Sequence, residues 1–429
     1  MVQLRFGVNH HLKAVVLAAG EGSRLRPLTT SRPKPMIPIA GRPLLEHLLL
    51  SIKESGIKQV LLVVGYHSEM IESYFKDGKE FGLRLTYVRQ EKPLGTANAV
   101  KMAERYVDED YFLAVYGDLF IHSSSIKSLI QKHSKKKVAR MVVVPVKNPQ
   151  RFGVVRLVDC FVRGLIEKPK PGEAFSSLAN AGIYIFPREI FKEISKTKAS
   201  SRAEFELTDT ILNLIESDKQ ILAEVIDPKS WNDLGRPWDL FEINGRALEN
   251  SKFEVKGTVE SGVHIAGNVG VGEGALVRSG TYIEGPVIIG SGSDVGPNCR
   301  IRPFTSLGKD VRVGNACEVK ASLIFDKTQI GHLSYVGDSI IGENCNLGAG
   351  TITANLRFDD DTVKVMVKSE LVDSGLRKLG TIMGDNVKTG VGVSIMPGVK
   401  IGANARIGPD ITVYRDVEEN AFIVGKKSL

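Results

Sequence analysis

The chain has 429 residues, of which 42% are hydrophobic and 25% charged, and its formal net charge is +8. This length exceeds one ordinary hydrophobic core and predicts two domains, and the composition is that of a soluble globular protein. No apolar run is long enough to cross a bilayer, and Met1 to Leu12 lacks the apolar core of a signal peptide. We therefore predict a cytoplasmic protein that has no membrane contact.

The net charge indicates which ligands to expect, and the cysteine spacing indicates the compartment. The positive balance suits phosphorylated substrates, and no aromatic residues alternate with the basic run at residues 135–137, so no nucleic acid is expected. The four cysteines follow no metal-ligand spacing and predict free thiols in a reducing compartment: Cys160, Cys299, Cys317 and Cys345.

Residues 1–248 alternate short β-branched runs with amphipathic stretches, which predicts an α/β domain with a mostly parallel, Rossmann-like sheet. The predicted helix at 43–55 has its leucines on one face. The predicted strands are 13–17, 59–64, 85–88 and 112–115.

Residues 252–429 have a different rhythm, with an apolar residue at every sixth position from Ile265 to Phe325. A small residue usually stands two positions earlier, as at Cys299 and Cys317. Three such repeats predict one triangular coil of 18 residues, so those two cysteines should stack. The frame breaks near residues 329–341 and returns at Ile395.

A glycine-rich loop follows the first predicted strand, with Gly20, Gly22 and Arg24 in the segment LAAGEGSRLRPLT. Glycines let backbone N–H groups approach phosphate oxygens. A dinucleotide fingerprint would need glycine where Leu25 stands, so the loop indicates a phosphate site of another kind.

Further motifs follow in order, and together they resemble the sugar-1-phosphate nucleotidylyltransferases. They are RPKPM at 32–36, QEKPLGTA at 90–97, YGD at 116–118, FGVV at 152–155, EKP at 167–169, NAG at 180–182, ELTD at 206–209 and WNDLG at 231–235. In such enzymes the phosphate of a sugar 1-phosphate attacks the α-phosphorus of a nucleoside triphosphate, and catalysis rests on positioning and charge neutralisation.

The resemblance implies a role for each matched residue. It assigns Arg24 to the leaving pyrophosphate, Lys34 to the reacting phosphates, and Asp118 and Asp233 to Mg²⁺. It also implies a base pocket around Gln90, whose amide suits uracil or thymine and favours UTP or dTTP over GTP. The remaining positions would hold the nucleotide, the sugar and its phosphate: Gly20, Gly22, Gly95, Thr96, Gly153, Glu167, Lys168 and Asn180.

The six-residue repeat resembles the left-handed parallel β-helix of hexapeptide-repeat acyltransferases, which commonly form trimers. Within it, GHLSYVGD at 331–338 and NLGAGTITAN at 346–355 resemble the acetyltransferase half of the bacterial bifunctional enzymes that make UDP-N-acetylglucosamine. That resemblance implies acetyl-CoA as co-substrate and His332 as the base, because an imidazole titrates near neutral pH. It places the substrate at Arg302, Lys320, Tyr335, Asn346 and Asn355.

One segment departs from the bacterial pattern. Leu356 stands where those enzymes have tyrosine, Asp361 stands at the place of a lysine, and residues 357–379 form a longer connection. Lys364, Lys368 or Lys378 would have to supply the missing charge. This longer form resembles the archaeal two-domain enzymes. The expected acceptor is glucosamine 1-phosphate, and the departure leaves open a different acceptor such as galactosamine 1-phosphate.

Two other interpretations remain open on the sequence. Mannose-1-phosphate guanylyltransferases also join this α/β domain to hexapeptide repeats, although Gln90 and the residues from His332 to Asn355 argue against that activity. Some relatives of this architecture are regulatory subunits that lack catalytic side chains, whereas this chain keeps Arg24, Lys34, Asp118 and Asp233. The prediction is therefore a bifunctional enzyme that forms a homotrimer through the β-helix.

Overall fold

The computed structural model describes residues 12–200 and 203–425. The predicted lack of a signal peptide concerns Met1 to Leu12, of which residues 1–11 lie outside the described residues. The described residues form two compact units: the first contains residues 12–21, 33–36, 44–200 and 203–233, and the second contains 22–32, 37–43 and 234–425. The units thus interleave along the sequence, and the division at 248–252 stays a prediction about which region carries which activity.

The described residues up to position 250 hold thirteen strands and seven α-helices. They are β1 (Ala14–Ala18), β2 (Pro38–Ile39), β3 (Arg42–Pro43), α1 (Leu44–Glu54), β4 (Gln59–Val64), α2 (Ser68–Phe75), β5 (Arg84–Arg89), α3 (Thr96–Lys101), β6 (Tyr111–Tyr116), β7 (Leu119–Ile121), α4 (Ser123–Lys135), β8 (Ala139–Pro145), β9 (Gly153–Val158), β10 (Phe161–Glu167), β11 (Leu178–Pro187), α5 (Ile190–Ile194), α6 (Leu207–Glu216), β12 (Ile221–Val225), β13 (Trp231–Asp233) and α7 (Asp239–Glu249). The predicted strands and the predicted helix match β1, α1, β4, β5 and β6 within two residues at each end.

The first unit is built on a nine-stranded sheet in the order β5-β4-β1-β6-β11-β8-β12-β10-β9. The β5-β4-β1-β6 half and the β8–β12 pair are parallel, whereas β11 runs antiparallel to both β6 and β8, and β10 runs antiparallel to both β12 and β9. The sheet is therefore mixed rather than mostly parallel as predicted. Because side chains alternate along each strand, Val16 packs on one side of the sheet with α1, and Val15 packs on the other side with α6. Both faces are therefore covered, as the apolar run of β1 requires.

The second unit is built on three parallel sheets of two- or three-residue strands. One sheet has nine strands: Thr258–Val259, Leu276–Val277, Asp294–Val295, Arg312–Val313, Gln329–Ile330, Asn346–Leu347, Lys388–Thr389, Arg406–Ile407 and Phe422–Ile423. The second has eight: His264–Ala266, Tyr282–Glu284, Arg300–Ile301, Glu318–Lys320, Tyr335–Gly337, Ile352–Thr353, Ser394–Ile395 and Thr412–Val413. The third has seven: Val269–Val271, Val287–Ile289, Thr305–Leu307, Leu323–Ile324, Ile340–Ile341, Ile382–Met383 and Lys400–Ile401. The predicted left-handed parallel β-helix is confirmed.

Strand register shows the length of each coil. Val277 pairs with Val295 and Val295 with Val313, so these coils have the predicted 18 residues. Leu307, however, pairs with Ile324 rather than with Phe325, so the coils shorten to 17 residues before the break that the sequence predicts. Both residues are buried, and a pattern of apolar positions does not distinguish them.

An antiparallel hairpin interrupts the solenoid between residues 356 and 379. Its strands are Lys364–Val367 and Glu370–Asp373, and its base closes where Leu379 N donates to Asn355 O at 2.9 Å. The coil therefore resumes at the point where it was left.

The second unit also includes two segments from early in the sequence. Arg32 is buried, with its guanidinium 2.6 Å from Asp385 Oδ2, 3.2 Å from Glu343 Oε2 and over the ring of Phe325. Asn244 of α7 accepts hydrogen bonds from Ala40 N at 2.9 Å and from Ser306 Oγ at 2.8 Å. Both early segments are thus fixed by buried polar contacts.

In residues 12–200 and 203–425, no helix is long and apolar enough to cross a membrane.

Candidate active sites

The glycine-rich loop leaves the end of β1 and is divided between the units. Gly20 belongs to the first unit, whereas Gly22 and Arg24 belong to the second. Gly22 has φ +70° and precedes a short 3-10 helix at Ser23–Leu25, and its carbonyl accepts a hydrogen bond from Thr29 Oγ1 at 3.0 Å. The Arg24 side chain is exposed at this turn.

Lys34 and Asp118 form an ion pair in the first unit. The lysine is buried, and Asp118 is the residue directly before β7. Strand β7 pairs antiparallel with β13 and places Asp233 opposite Leu119, so the two aspartates lie at the same end of this two-stranded sheet. The Oδ1 atom of Asp118 is buried and has no hydrogen-bond partner among the described residues, which fits a carboxylate oxygen placed for a cation.

Gln90 and Gly95 are joined across the loop that begins α3. The Gln90 Nε2 group donates to Asn98 Oδ1 at 2.7 Å and to Gly95 O at 3.4 Å. Gly95 has φ +100°, and a Cβ there would lie 2.5 Å from Phe205 O, so this position requires glycine. Thr96 begins α3, and its Oγ1 accepts a hydrogen bond from Leu207 N at 3.0 Å.

Four further predicted residues lie close together where β9, β10 and β11 adjoin. Gly153 pairs directly with Glu167, and Lys168 follows with its ammonium 3.6 Å from the Glu167 carboxylate. Asn180 of β11 is bonded to the Tyr184 hydroxyl, which itself lies 3.4 Å from the Tyr116 hydroxyl. Burial raises the pKa of the Tyr116 and Tyr184 phenols well above the ordinary value, so both stay neutral donors at working pH.

Four predicted residues of the second unit form a polar group along one side of the eight-stranded sheet, which we call the polar edge: Arg302, Lys320, Tyr335 and Asn355. Arg302 Nη1 lies 2.9 Å from Glu318 Oε1, and Lys320 Nζ lies 2.7 Å from Asp338 Oδ2. The Asn355 amide donates to the Tyr335 hydroxyl at 3.1 Å and to Asp338. Burial, and next the nearby Asp338 carboxylate, raise the pKa of the Tyr335 phenol.

His332 and Asn346 lie apart from that edge. His332 is exposed at the corner between the nine- and eight-stranded sheets, and among the described residues no hydrogen bond to its imidazole is present. Asn346 is exposed on the nine-stranded sheet. An open cavity of about 400 Å³ lies between this corner and Tyr335, lined by Arg300, Glu318, Leu333, Tyr335 and Ile352 among others.

The sequence matches a nucleotidyl transferase family model over residues 13–250, and a model described as the GMPPB C-terminal domain over 283–396. It is 48% identical to the bifunctional protein GlmU of Methanocaldococcus jannaschii, over 97% of this chain and 98% of that protein. It is 42% identical to a bifunctional sugar-1-phosphate nucleotidylyltransferase/acetyltransferase of Sulfurisphaera tokodaii, over 96% and 99%.

The chain belongs to the bifunctional nucleotidylyltransferase/acetyltransferase family.

A solved UDP-glucose pyrophosphorylase complexed with UDP-glucose is 25% identical, covers 56% of this chain and 99% of its own length, and has a TM-score of 0.51. The nucleotidyltransferase fold of this bifunctional enzyme is therefore confirmed independently of the repeat region. The prediction that the chain is an enzyme with both transfer activities is also confirmed by its relatives.

Some residues that contact the predicted site residues were not predicted from the sequence. Asn98 holds Gln90, Tyr184 holds Asn180, and Asp338 joins Lys320 to Asn355. Asp338 lies inside the segment that resembles the acetyltransferases, so a search for a carboxylate to balance Lys320 would have found it. No feature of the sequence identifies Asn98 or Tyr184, because their contacts with Gln90 and Asn180 form only in the folded chain.

Proposed function

We propose that this enzyme acetylates glucosamine 1-phosphate (or galactosamine 1-phosphate) with acetyl-CoA and then activates the product. Activation transfers UMP or dTMP from UTP or dTTP to N-acetylglucosamine 1-phosphate, or to glucose 1-phosphate, and releases pyrophosphate. The observation that supports a second activity beside nucleotidyl transfer is the polar edge on the solenoid, which contains Arg302, Lys320, Tyr335 and Asn355. A coil with a purely structural role needs no such group. The free, buried thiols of Cys299, Cys317 and Cys345 fit a protein of the reducing cytoplasm.

Nucleotidyl transfer needs charge neutralisation rather than a protein nucleophile. Lys34 would leave its ion pair with Asp118 to contact the reacting phosphates, and Arg24 would bind the leaving pyrophosphate. Asp118 and Asp233 would hold Mg²⁺, which when bound neutralises phosphate charge and orients the triphosphate. Mg²⁺ usually takes one or two carboxylates and completes its shell with phosphate and water oxygens, so two aspartates are enough to hold it.

Gln90 supports a pyrimidine base. Its amide hydrogens are directed at Asn98 Oδ1 and Gly95 O, so its Oε1 is the atom that would accept the N3–H of uracil or thymine. Asn180, Glu167 and Lys168 would hold the sugar and its phosphate, with the neutral Tyr184 hydroxyl fixing the Asn180 amide. Gly20, Gly22, Gly95, Thr96 and Gly153 would let the backbone approach the nucleotide and sugar.

Acetyl transfer needs the neutral amine of the acceptor as nucleophile. His332 would remove its proton, Arg302, Lys320 and Tyr335 would bind the sugar phosphate, and Asn346 and Asn355 would orient the sugar and the thioester. Within one chain His332 and Asn346 do not share the edge that holds the other four residues. We therefore propose a homotrimer in which this site forms between subunits.

Guanylyl transfer to mannose 1-phosphate is the alternative, because residues 283–396 match the GMPPB C-terminal domain model. Measuring turnover of each nucleoside triphosphate with each sugar 1-phosphate, in the presence of Mg²⁺, distinguishes guanylyl transfer from the proposed activity. We expect turnover with UTP or dTTP and little with GTP, and preference for GTP and mannose 1-phosphate would overturn the proposal.

Lys34→Ala tests whether the two activities use separate sites. We expect nucleotidyl transfer to fall by at least about 10²-fold, because a charged group that stabilises the transition state is lost. Acetylation in the same sample should stay near wild type and serves as the folding control. Equal loss of both activities in a folded protein would count against separate sites.

A further inference from the structure

One buried carboxylate of the solenoid, that of Asp385, holds the end of the early segment at residues 22–32. Its Oδ2 atom lies 2.6 Å from the guanidinium of Arg32 and accepts a hydrogen bond from the hydroxyl of Ser31. Asp385 is 6% exposed, so little water competes with these two contacts. The early segment and Asp385 belong to the same compact unit, and the segment is therefore attached directly to a coil of that unit.

The coil uses the other oxygen of Asp385. This Oδ1 atom accepts a hydrogen bond from Glu343 N, in the preceding coil, at 2.7 Å. Asp326 stands at the equivalent place two coils earlier, as the strand register shows, and its Oδ1 accepts a hydrogen bond from Lys309 N at 2.8 Å. Asp326 thus shows that the coil requires one carboxylate oxygen at this place. The contacts of Asp385 Oδ2 with the early segment go beyond that requirement.

The early segment presents Arg24 on a turn that its own hydrogen bonds close. Gly22 O accepts hydrogen bonds from Leu25 N at 2.9 Å and from Thr29 Oγ1 at 3.0 Å. Leu25 and Thr29 are buried, whereas the Arg24 side chain is exposed. The turn is therefore tied to Thr29, which is two positions before Ser31 and its contact with Asp385.

The middle of the early segment approaches the residue before Asp385. A Cβ at Gly384 would lie 3.1 Å from Pro27 Cβ, which is closer than ordinary van der Waals contact. Glycine at this place therefore gives Pro27 room against the coil. The early segment thus meets one coil at Pro27, at Ser31 and at Arg32.

Nucleotidyl transfer depends on charged groups that are held at fixed positions around the phosphates. Because the Arg24 side chain is exposed, the contacts that fix its position are those of the rest of the early segment. We propose that Asp385 is a positioning residue for nucleotidyl transfer, which holds the turn that presents Arg24 to pyrophosphate. The inference rests on the proposed role of Arg24. A residue of the repeat region would thus support the reaction that the sequence assigns to residues 1–248.

Asp385→Asn tests this role in the reverse reaction, in which pyrophosphate attacks UDP-N-acetylglucosamine. The amide keeps an oxygen for Glu343 N but removes the negative charge that holds Arg32. We expect the KM for pyrophosphate to rise roughly tenfold, since displacing a positioned charge weakens its contact with the phosphates. The KM for UDP-N-acetylglucosamine and the rate of acetylation should stay near wild type.

Asp326→Asn is the matched control, because it makes the same change at the equivalent place of another coil. Its KM for pyrophosphate should equal that of the wild type. If both variants raise this KM equally, or if Asp385→Asn loses acetylation to the same extent as nucleotidyl transfer, the carboxylate has a general structural role and the proposal is overturned.

A double-mutant cycle with Arg24→Ala shows whether Asp385 acts through Arg24. Once Arg24 is absent, Asp385→Asn should raise the KM for pyrophosphate no further, because the group that it positions has been removed. Independent, multiplying effects of the two substitutions overturn the proposal. If Asp385→Asn does not fold, Ser31→Ala takes its place in the cycle, since it removes one exposed hydroxyl from the same carboxylate oxygen. An unchanged KM for pyrophosphate in the folded variant also overturns the proposal.

Calorimetry with pyrophosphate and Mg²⁺ separates this inference from the proposed function. If the wild type transfers no nucleotidyl group to any sugar 1-phosphate, the proposed function fails. The role of Asp385 then stands only if the wild type binds pyrophosphate and Asp385→Asn weakens that binding while Asp326→Asn does not. It is overturned if the wild type does not bind pyrophosphate or if the three proteins bind it equally.

Discussion

At the scale of the residue, His332 carries the sharpest catalytic prediction. If it is the general base, His332→Ala should lower acetylation by roughly 10²–10⁴-fold and leave nucleotidyl transfer near wild type. His264→Ala is the matched control, because His264 is also exposed on the solenoid but stacks on Tyr282. A variant that folds, assembles and keeps more than about a third of the acetylation rate would disprove the assignment.

The pair of Arg32 and Asp385 supports a prediction about stability. Among the described residues, Asp385→Ala leaves the buried guanidinium with only the more exposed Glu343 as counter-ion, and we expect a loss of about 3–5 kcal/mol in the free energy of unfolding. Glu284→Ala breaks the exposed pair with Arg300 and should cost less than about 1 kcal/mol. Denaturant titration of both variants measures the difference, and equal losses would show that burial of the pair is unimportant.

At the scale of the element, the core of the solenoid carries a pH prediction. Burial raises the pKa of the Cys345 thiol to about 12 and that of the Cys299 thiol to about 11. The folded state thus keeps these thiols neutral while the unfolded chain ionises near pH 9. The stability they contribute is present below that pH and is lost at about 1.4 kcal/mol per pH unit for each thiol, as the pH rises toward about 11 for Cys299 and about 12 for Cys345.

Chemical denaturation between pH 8 and pH 10.5 checks this decline. Cys345→Ala should show a shallower fall than the wild type over that range, although its stability at pH 8 is lower because it leaves a cavity. Parallel curves for the two proteins would contradict the assigned cause.

The repeat shows how far the sequence alone predicts this fold. A period of six was readable because one large apolar side chain must enter the core at each side of a coil, and the register of Val277 with Val295 confirms it. The shortening at Ile324 was not readable, because Ile324 and Phe325 are both apolar and either would fill the core. Likewise the motifs identified Lys320 and Asn355, but only the fold shows that Asp338 joins them.

At the scale of the whole molecule, we predict a homotrimer that associates through the β-helix. Apolar side chains remain exposed along the eight-stranded sheet and its corner, including Tyr282, Leu333 and Ile352. Sedimentation equilibrium at micromolar concentration should give three times the mass of the chain. Leu333→Asp should weaken assembly and acetylation together, whereas Phe358→Asp, an equally apolar exposed site on the insertion, should affect neither. A monomer with full acetylation would refute this.

The interleaved units have a consequence for how this gene could be divided or recombined. A cut after α7 would leave residues 22–32 and 37–43 on a different polypeptide from the rest of their compact unit, and Arg32 would be separated from Asp385. Dividing the chain there would therefore expose Asp385 and leave Arg32 without its buried carboxylate partner. Replacing the repeat region with that of a distant relative at the same point would have the same effect. A fusion with another repeat region would keep these contacts only if residues 22–32 and 37–43 were transferred together with the solenoid.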